Sequence, residues 1–93
     1  MPRKSATKLM LEFVQDYLDG TNERLDFDLD FNYYLKKYFP EMERENPDLA
    51  ECFLFYIAER GFDEAQGLSN AAHKKLIKEQ FDEFLSAMHD GFL

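Results

Sequence analysis

The sequence predicts an all-α protein, folded as a compact irregular bundle of four main helices. In separate segments, apolar residues recur at the three- and four-residue spacing of helices that bury one face. Capping residues and glycines stand at the ends of these segments. The one run in which apolar and polar residues alternate has no second run with which to form a sheet. The predicted helices are 7–19, 31–39, 47–60 and 70–89, with short extra helical turns near 41–45 and 63–67.

The third helix, 47–60, has the clearest start and stop signals. Asn46 is a suitable N-cap, Pro47 fits the first helical position, and Gly61 can end the helix in a left-handed conformation. A run of uncharged residues covers most of its circumference, so we expect it to be the buried centre of the bundle. The only cysteine, Cys52, lies in this run, which excludes an internal disulfide and predicts an inert, buried thiol.

Glycine, proline and serine set the limits of the other helices. Gly20 follows the first helix, and Pro40 ends the second because the residue before a proline avoids the α conformation. Ser69 caps the last helix and Gly91 ends it. We expect all 93 residues to make one domain, with residues 1–6 as a flexible tail.

Residues 21–30 show a different period. Leu25, Phe27, Leu29 and Phe31 alternate with aspartates, a pattern that favours a half-buried strand. Aspartate is a poor strand former, so we predict an extended connector whose alternate side chains insert into the helical core. A short strand, paired across a dimer, is the alternative.

The composition indicates a folded, strongly acidic protein. Its formal net charge is -8, and 16% of its residues are aromatic, which favours a packed core over disorder. Binding to phosphates depends on clustered Lys and Arg, so the charge argues against nucleic acid as a ligand. No segment has the apolar length of a membrane span, and none resembles a secretory signal. We therefore expect no membrane association and a cytoplasmic location.

No residue pattern points to catalysis, a metal or a cofactor. Asp26, Asp28 and Asp30 have the spacing that opens an EF-hand calcium loop, but Phe31 and Lys37 stand where that loop needs Gly and Glu. The two histidines lie sixteen residues apart on one predicted helix, which is too far for both to bind one metal ion. The sequence therefore predicts a protein that is not an enzyme.

Phe55 is the first candidate for a partner-binding residue. On a helical wheel it falls on the acidic face of the third helix, between Glu51 and Glu59. An exposed aromatic ring with an acidic rim is typical of a binding surface. The competing interpretation is that another segment of the chain covers the ring.

A lysine cluster on the last helix is the second candidate. Lys74, Lys75 and Lys78 lie near its N-terminal half, where cations oppose the helix dipole. One interpretation is a solvated surface, or pairing with the acids of residues 41–51. The other is contact with an acidic surface of a second copy or of another protein.

We predict a small acidic protein–protein interaction or regulatory module, of the inhibitor or immunity type found in bacteria or phage. Its acidic surface would mask a basic surface on a protein partner, and a homodimer is a further option. The alternative is a helical protein that binds a small molecule or a metal. Its aromatic pocket would use the hydroxyl groups of Tyr33, Tyr34, Tyr38 and Tyr56.

Overall fold

A computed structural model describes residues 5–88, and no strand occurs within them. The helices are α1 (Ala6–Leu18), α2 (Arg24–Glu45), α3 (Pro47–Phe53) and α4 (Asn70–Ala87). A π-helical segment, Leu54–Asp63, directly continues α3, and we call it the π-segment. The predicted all-α class with four main helical stretches is confirmed.

The chain divides into two compact units between Ala50 and Glu51. Unit 1 contains α1, α2 and the start of α3, and α1 packs on α2. Unit 2 contains the end of α3, the π-segment and α4, and the π-segment packs on α4. Each unit is therefore organised around one pair of helices. That residues 1–93 make a single domain stays a prediction.

Two side chains cap the first turn of α1. Ser5, the N-cap, accepts a hydrogen bond from the backbone N–H of Lys8 at 3.1 Å. The carboxylate of Glu45, at the end of α2, accepts from the backbone N–H of Ala6 at 2.8 Å and of Thr7 at 3.2 Å. It also accepts from the Thr7 hydroxyl at 3.0 Å. The leading N–H groups of α1, which have no partner within the helix, are thus satisfied.

These bonds lower the pKa of the Glu45 carboxyl below its ordinary value. The hydrogen bond from the Ala6 N–H is the main cause, burial opposes it, and the two bonds from Thr7 add to it. The positive end of the α1 dipole favours the same charged form. The contact therefore joins the end of α2 to the start of α1 through a charge-assisted bond.

The start of α1 corrects part of the predicted N-terminal tail. Ser5 is the helix cap, and Ala6 is a buried residue of the first turn. Residues 1–4, the rest of the predicted tail, lie outside the described residues. Gly20 follows the helix at a φ of 91°, in the left-handed region as expected.

α2 is the largest departure from the prediction. One 22-residue helix, Arg24–Glu45, replaces the expected connector at 21–30, the helix at 31–39 and the separate turn at 41–45. The second predicted helix is therefore wrong at both ends, and so is the extended or strand conformation before it.

The alternating pattern before residue 32 has a helical explanation. Phe27 and Phe31 are fully buried, whereas Leu25 and Leu29 are each 67% exposed. Residues four apart lie on the same side of a helix. These four apolar residues therefore form two stripes on opposite sides of α2. Only the stripe of Phe27 and Phe31 faces the core of unit 1.

Pro40 lies inside α2 and does not end it. A proline has no N–H, so the carbonyl of Lys36 loses its donor from the next helical turn. The helix nevertheless continues for five more residues to Glu45. Met42 of this last part is fully buried, and Glu45 accepts hydrogen bonds from α1, so both residues hold it in place.

The third helix also passes its predicted end. Gly61 is buried inside the π-segment, and its φ is not in the left-handed region. A Cβ atom there would lie 3.2 Å from the carbonyl oxygen of Tyr56 and 3.4 Å from Cδ1 of Ile77 on α4. Glycine is therefore needed for close packing and not for a turn. The chain turns at Gly67, whose φ is 96°.

The extra turn predicted near 63–67 is the end of this same helix, because the chain stays helical through Ala65. Phe53, Ile57, Gly61 and Ala65 are buried, at every fourth position. Such a row drifts around an α-helix of 3.6 residues per turn. On the wider turn of a π-helix the same spacing falls short of a full turn, so the row shifts around the helix in the opposite direction.

The predicted core of the third helix is only partly correct. Phe53 and Ile57 are fully buried, but Cys52, Leu54 and Tyr56 are half-buried. The prediction of a buried Cys52 thiol is therefore wrong. The predicted caps are confirmed: the Asn46 side chain accepts from the Leu49 N–H at 3.1 Å, and the Ser69 hydroxyl accepts from the Ala72 N–H at 3.3 Å.

α4 supplies the other half of the unit 2 core. Ile77, Phe81 and Phe84 are buried, and the rings of Phe84 and Phe53 meet edge to face, with centroids 5.7 Å apart. The predicted helix end at residue 89 and the stop at Gly91 lie outside the described residues. None of the helices within residues 5–88 is long and apolar enough to span a membrane.

We expect Glu45→Ala to lower the free energy of unfolding by about 1–2 kcal/mol, because it removes the side chain that caps α1. Urea denaturation followed by circular dichroism measures this loss. Glu43→Ala is the matched control, since Glu43 is exposed on the same helix, and it should change stability by less than about 0.5 kcal/mol. Equal losses in the two variants would contradict the capping role.

The stabilisation by Glu45 should depend on pH. Its pKa is lower in the folded state than the ordinary value of 4.5, so the folded state binds fewer protons there. The contribution is fully present above the ordinary value and is lost as the pH falls through the lowered pKa. Below that range the wild-type protein and Glu45→Ala should converge in stability, when both are denatured across an acidic pH series.

Candidate functional site

An open cleft of about 370 Å³ lies between α1 and α2 in unit 1. We call it the acidic cleft, because carboxylates and aromatic rings dominate its lining. The lining residues are Leu9, Met10, Glu12, Phe13, Asp16, Asn22, Asp30, Tyr34 and Tyr38.

Helical spacing brings these side chains to one place. Glu12 and Asp16 are four residues apart on α1, and Asp30, Tyr34 and Tyr38 follow at four-residue steps on α2. Residues at this spacing form a row along one side of a helix. The cleft is therefore lined by two rows of side chains, one from each helix, with acids in both.

Aromatic contacts fix the wall of the cleft. The ring of Phe13 meets Tyr34 edge to face at 5.0 Å, and Tyr34 stacks on Tyr38 at 6.1 Å. Phe13 also stacks on the buried ring of Phe27 at 5.4 Å. Each such contact adds about 0.5–1.5 kcal/mol beyond the area that it buries. The cleft therefore has a rigid aromatic side.

The chain around the cleft is strongly acidic. Residues 10–30 contain seven acids and a single base, Arg24. Nε of Arg24 lies 3.3 Å from Oδ2 of Asp28, so this base is already paired on its own helix. The negative potential of the segment is thus largely uncompensated within residues 10–30, which favours cations near the cleft.

Tyr17 lies beside this region without lining it. Burial raises the pKa of its phenol, the nearby Arg24 lowers it, and Asp28 raises it again. Its ring stacks on Phe27 at 4.4 Å. Tyr17 is therefore a neutral core residue and adds no charge to the cleft.

The Phe55 surface is exposed in unit 2, as the partner-binding interpretation requires. Phe55 is 46% exposed, and Glu51 and Glu59 are also exposed. The competing interpretation, that another segment covers the ring, is wrong. Partner binding by these three residues stays a prediction.

Arg60 belongs to the Phe55 surface, and sequence reasoning missed it. Its guanidinium carbon lies 5.6 Å from the centroid of the Phe55 ring, within the range of a cation–π contact. Tyr56 meets Phe55 edge to face at 5.0 Å. A five-residue separation brings two side chains together on a π-helix but not on an α-helix. An α-helical wheel therefore separates Arg60 from Phe55.

The lysine cluster is divided between different environments. Nζ of Lys78 lies 2.9 Å from Oδ2 of Asp82 on the same helix, and both side chains are more than half exposed. Lys74 is half-buried and Lys75 is exposed. Pairing within α4 thus accounts for Lys78. A role for the cluster in binding a second protein stays a prediction.

Two of the four tyrosines expected to line one pocket share the acidic cleft. Tyr34 and Tyr38 share the acidic cleft, but Tyr33 is 62% exposed outside it. Tyr56 belongs to unit 2, where it lines a different, shallow pocket with residues of α4 such as Asp82 and Ser86. A ligand-binding role for these tyrosines stays a prediction.

Metal ligands do not converge in the part of the chain that is described. Among residues 5–88, no three His, Cys, Asp or Glu side chains are grouped so that they could hold a metal ion. His73 is fully buried in α4, and His89 lies outside the described residues.

Phe53 and Phe55 offer a direct test of which apolar residues form the core. We expect Phe53→Ala to cost about 3–5 kcal/mol, because its ring is fully buried against Phe84. Phe55→Ala removes the same atoms two residues away and should cost about 1 kcal/mol or less, mainly from the Arg60 contact. Urea denaturation of both variants gives the comparison. Similar losses would mean that Phe55 is covered in solution.

Comparisons with protein-family models, with curated proteins and with solved structures find no match to this chain.

Proposed function

We propose that this chain is a small cytoplasmic protein–protein interaction module that binds a basic partner through the acidic cleft. One observation supports the proposal above all others. Glu12, Asp16 and Asp30 converge on a cleft whose wall is the aromatic row of Tyr34 and Tyr38.

The cleft combines the two features that a Lys or Arg side chain needs. Carboxylates supply charge-assisted hydrogen bonds, and an arginine can engage one of them with two parallel N–H groups. Aromatic rings pack against the apolar part of the side chain and attract its cationic head. A ring and a cation already meet at its edge, where Nζ of Lys37 lies 5.4 Å from the centroid of Tyr38.

The overall charge would bring such a partner to the cleft. A net charge of -8 accelerates encounters with a basic protein and repels nucleic acid. A basic surface that normally binds phosphates would be occupied by the acids of the cleft. The module would then act as an inhibitor or regulator of a nuclease or another nucleic-acid-binding protein, as an immunity protein does.

The cleft also favours a second candidate function, binding of a small organic cation. Its volume of about 370 Å³ falls at the lower end of the range of small-molecule pockets. The same carboxylates and rings would hold a polyamine or a quaternary ammonium group. In this case spermidine or choline would raise the melting temperature as strongly as a basic peptide does.

The test uses an oligoarginine peptide as the probe and isothermal titration calorimetry as the measurement. A triple variant, Glu12→Gln, Asp16→Asn and Asp30→Asn, removes the carboxylates of the cleft. We expect it to weaken binding about tenfold or more, because it removes the charge-assisted hydrogen bonds that the carboxylates would accept from the peptide. Amide signals of Phe13, Tyr34 and Tyr38 should shift when the wild-type protein binds the peptide.

A second triple variant is the matched control for net charge. Asp63→Asn, Glu64→Gln and Glu79→Gln remove the same number of charges from exposed positions in unit 2. Binding should then weaken by less than about threefold, because only long-range attraction is reduced. If both triple variants lose the same affinity, the peptide senses overall charge alone, and the cleft is not the binding site.

A further inference from the structure

An exposed apolar stripe runs along α2 on the side away from its buried residues. Leu25 and Leu29 are each 67% exposed, and Tyr33 is 62% exposed. They follow at four-residue steps, so they form one row about 12 Å long at 1.5 Å per residue. We call it the α2 stripe. Three large apolar side chains at this exposure and spacing mark an interaction surface.

Charges of opposite sign lie at the two ends of the α2 stripe. Asp26, in the first turn of α2, is exposed beside Leu25. Lys36 is exposed less than one turn beyond Tyr33, on the same side of the helix. The stripe therefore has an acidic end and a basic end, about 15 Å apart at 1.5 Å per residue.

The apolar pair and the charged pair along α2 are centred on the same position of the helix. Leu29 and Tyr33 lie symmetrically about position 31, and so do Asp26 and Lys36. An antiparallel copy of the same helix, rotated about a two-fold axis at that level, would set Leu29 opposite Tyr33. It would also set each Asp26 opposite a Lys36. A two-fold interface requires this kind of self-complementarity.

We propose that a second copy of this chain docks on the α2 stripe, with the two α2 helices antiparallel. Leu29 of each copy packs against Tyr33 of the other, and Asp26 pairs with Lys36 of the other. Leu25 lies opposite Lys37 of the second copy and packs on its aliphatic stem. The stripe is short, so we expect a dissociation constant of about 10–100 µM, as for a small interface.

The charges favour a second copy over a membrane surface as the occupant. An amphipathic helix that binds anionic lipid carries Lys and Arg beside its apolar face. The α2 stripe has Asp26 at one end, and its Leu25 and Leu29 lie within the acidic segment 10–30. Anionic lipid would be repelled at that end, whereas an antiparallel copy would neutralise it.

This inference does not depend on the proposed binding of a basic partner. The residues that line the acidic cleft include none of those that make the α2 stripe. Dimerisation and peptide binding are measured separately, so either can fail while the other holds.

The test is the mass of the full chain by light scattering and sedimentation equilibrium, over a range of concentrations. We expect the mass to rise from 11.1 kDa towards twice that value as the concentration passes about 100 µM. Leu29→Glu should keep the protein monomeric without loss of helicity, because the side chain is largely exposed. Leu68→Glu is the matched control on the other unit, because Leu68 is also an exposed leucine, and it should leave the dissociation constant unchanged.

A charge exchange tests the proposed register. Asp26→Lys and Lys36→Asp should each raise the dissociation constant about tenfold, because each places like charges opposite one another twice in the dimer. The double variant restores opposite charges and should dimerise like the wild-type protein, which a merely structural role would not explain. A protein that stays monomeric up to about 500 µM would overturn the proposal. So would a dimer that is insensitive to Leu29→Glu and to both single charge reversals.

Discussion

The contact between the carboxylate of Glu45 and the first turn of α1 is the interaction on which unit 1 depends. It joins the last residue of α2 to the first residues of α1, at the far end from the short turn that connects the two helices. The helix pair is thus closed at both ends. The acidic cleft lies between those two ends, so the positions of its carboxylates follow from a bond made outside the cleft.

The elements that were predicted correctly rest on local chemistry. Asn46 and Ser69 cap their helices through their own side chains. Gly20 turns the chain in the left-handed conformation, which glycine adopts without strain. The errors arise where tertiary packing prevails. Pro40 lies inside α2 although proline disfavours a helix interior, and Gly61 lies inside the π-segment because its small size allows close packing against α4.

The candidate site was foreseen in part. The acids four residues to either side of Phe55 place its ring on a polar face, but the sequence leaves open whether another segment covers it, and the structure shows it exposed. Tyr34 and Tyr38 were expected in a pocket, but Asp16 and Asp30 were not assigned to it. Carboxylates so distant in sequence meet only because α2 begins at Arg24. Two apolar stripes on opposite sides of a helix produce the same alternation of apolar and polar residues as a strand. The alternation therefore does not reveal where α2 begins.

Because of Pro40, the two parts of α2 in unit 1 differ in their resistance to local unfolding. The Lys36 carbonyl has no donor one turn later, so α2 is weakest at the boundary between its long first part and its final turns. Glu45 is one of the residues after that boundary. Release of these final turns would therefore uncap α1 in the same event, and the two segments would form one cooperative sub-global unit. Amide hydrogen exchange would then report matching protection at the start of α1 and the end of α2, although 38 or 39 residues separate the bonded groups.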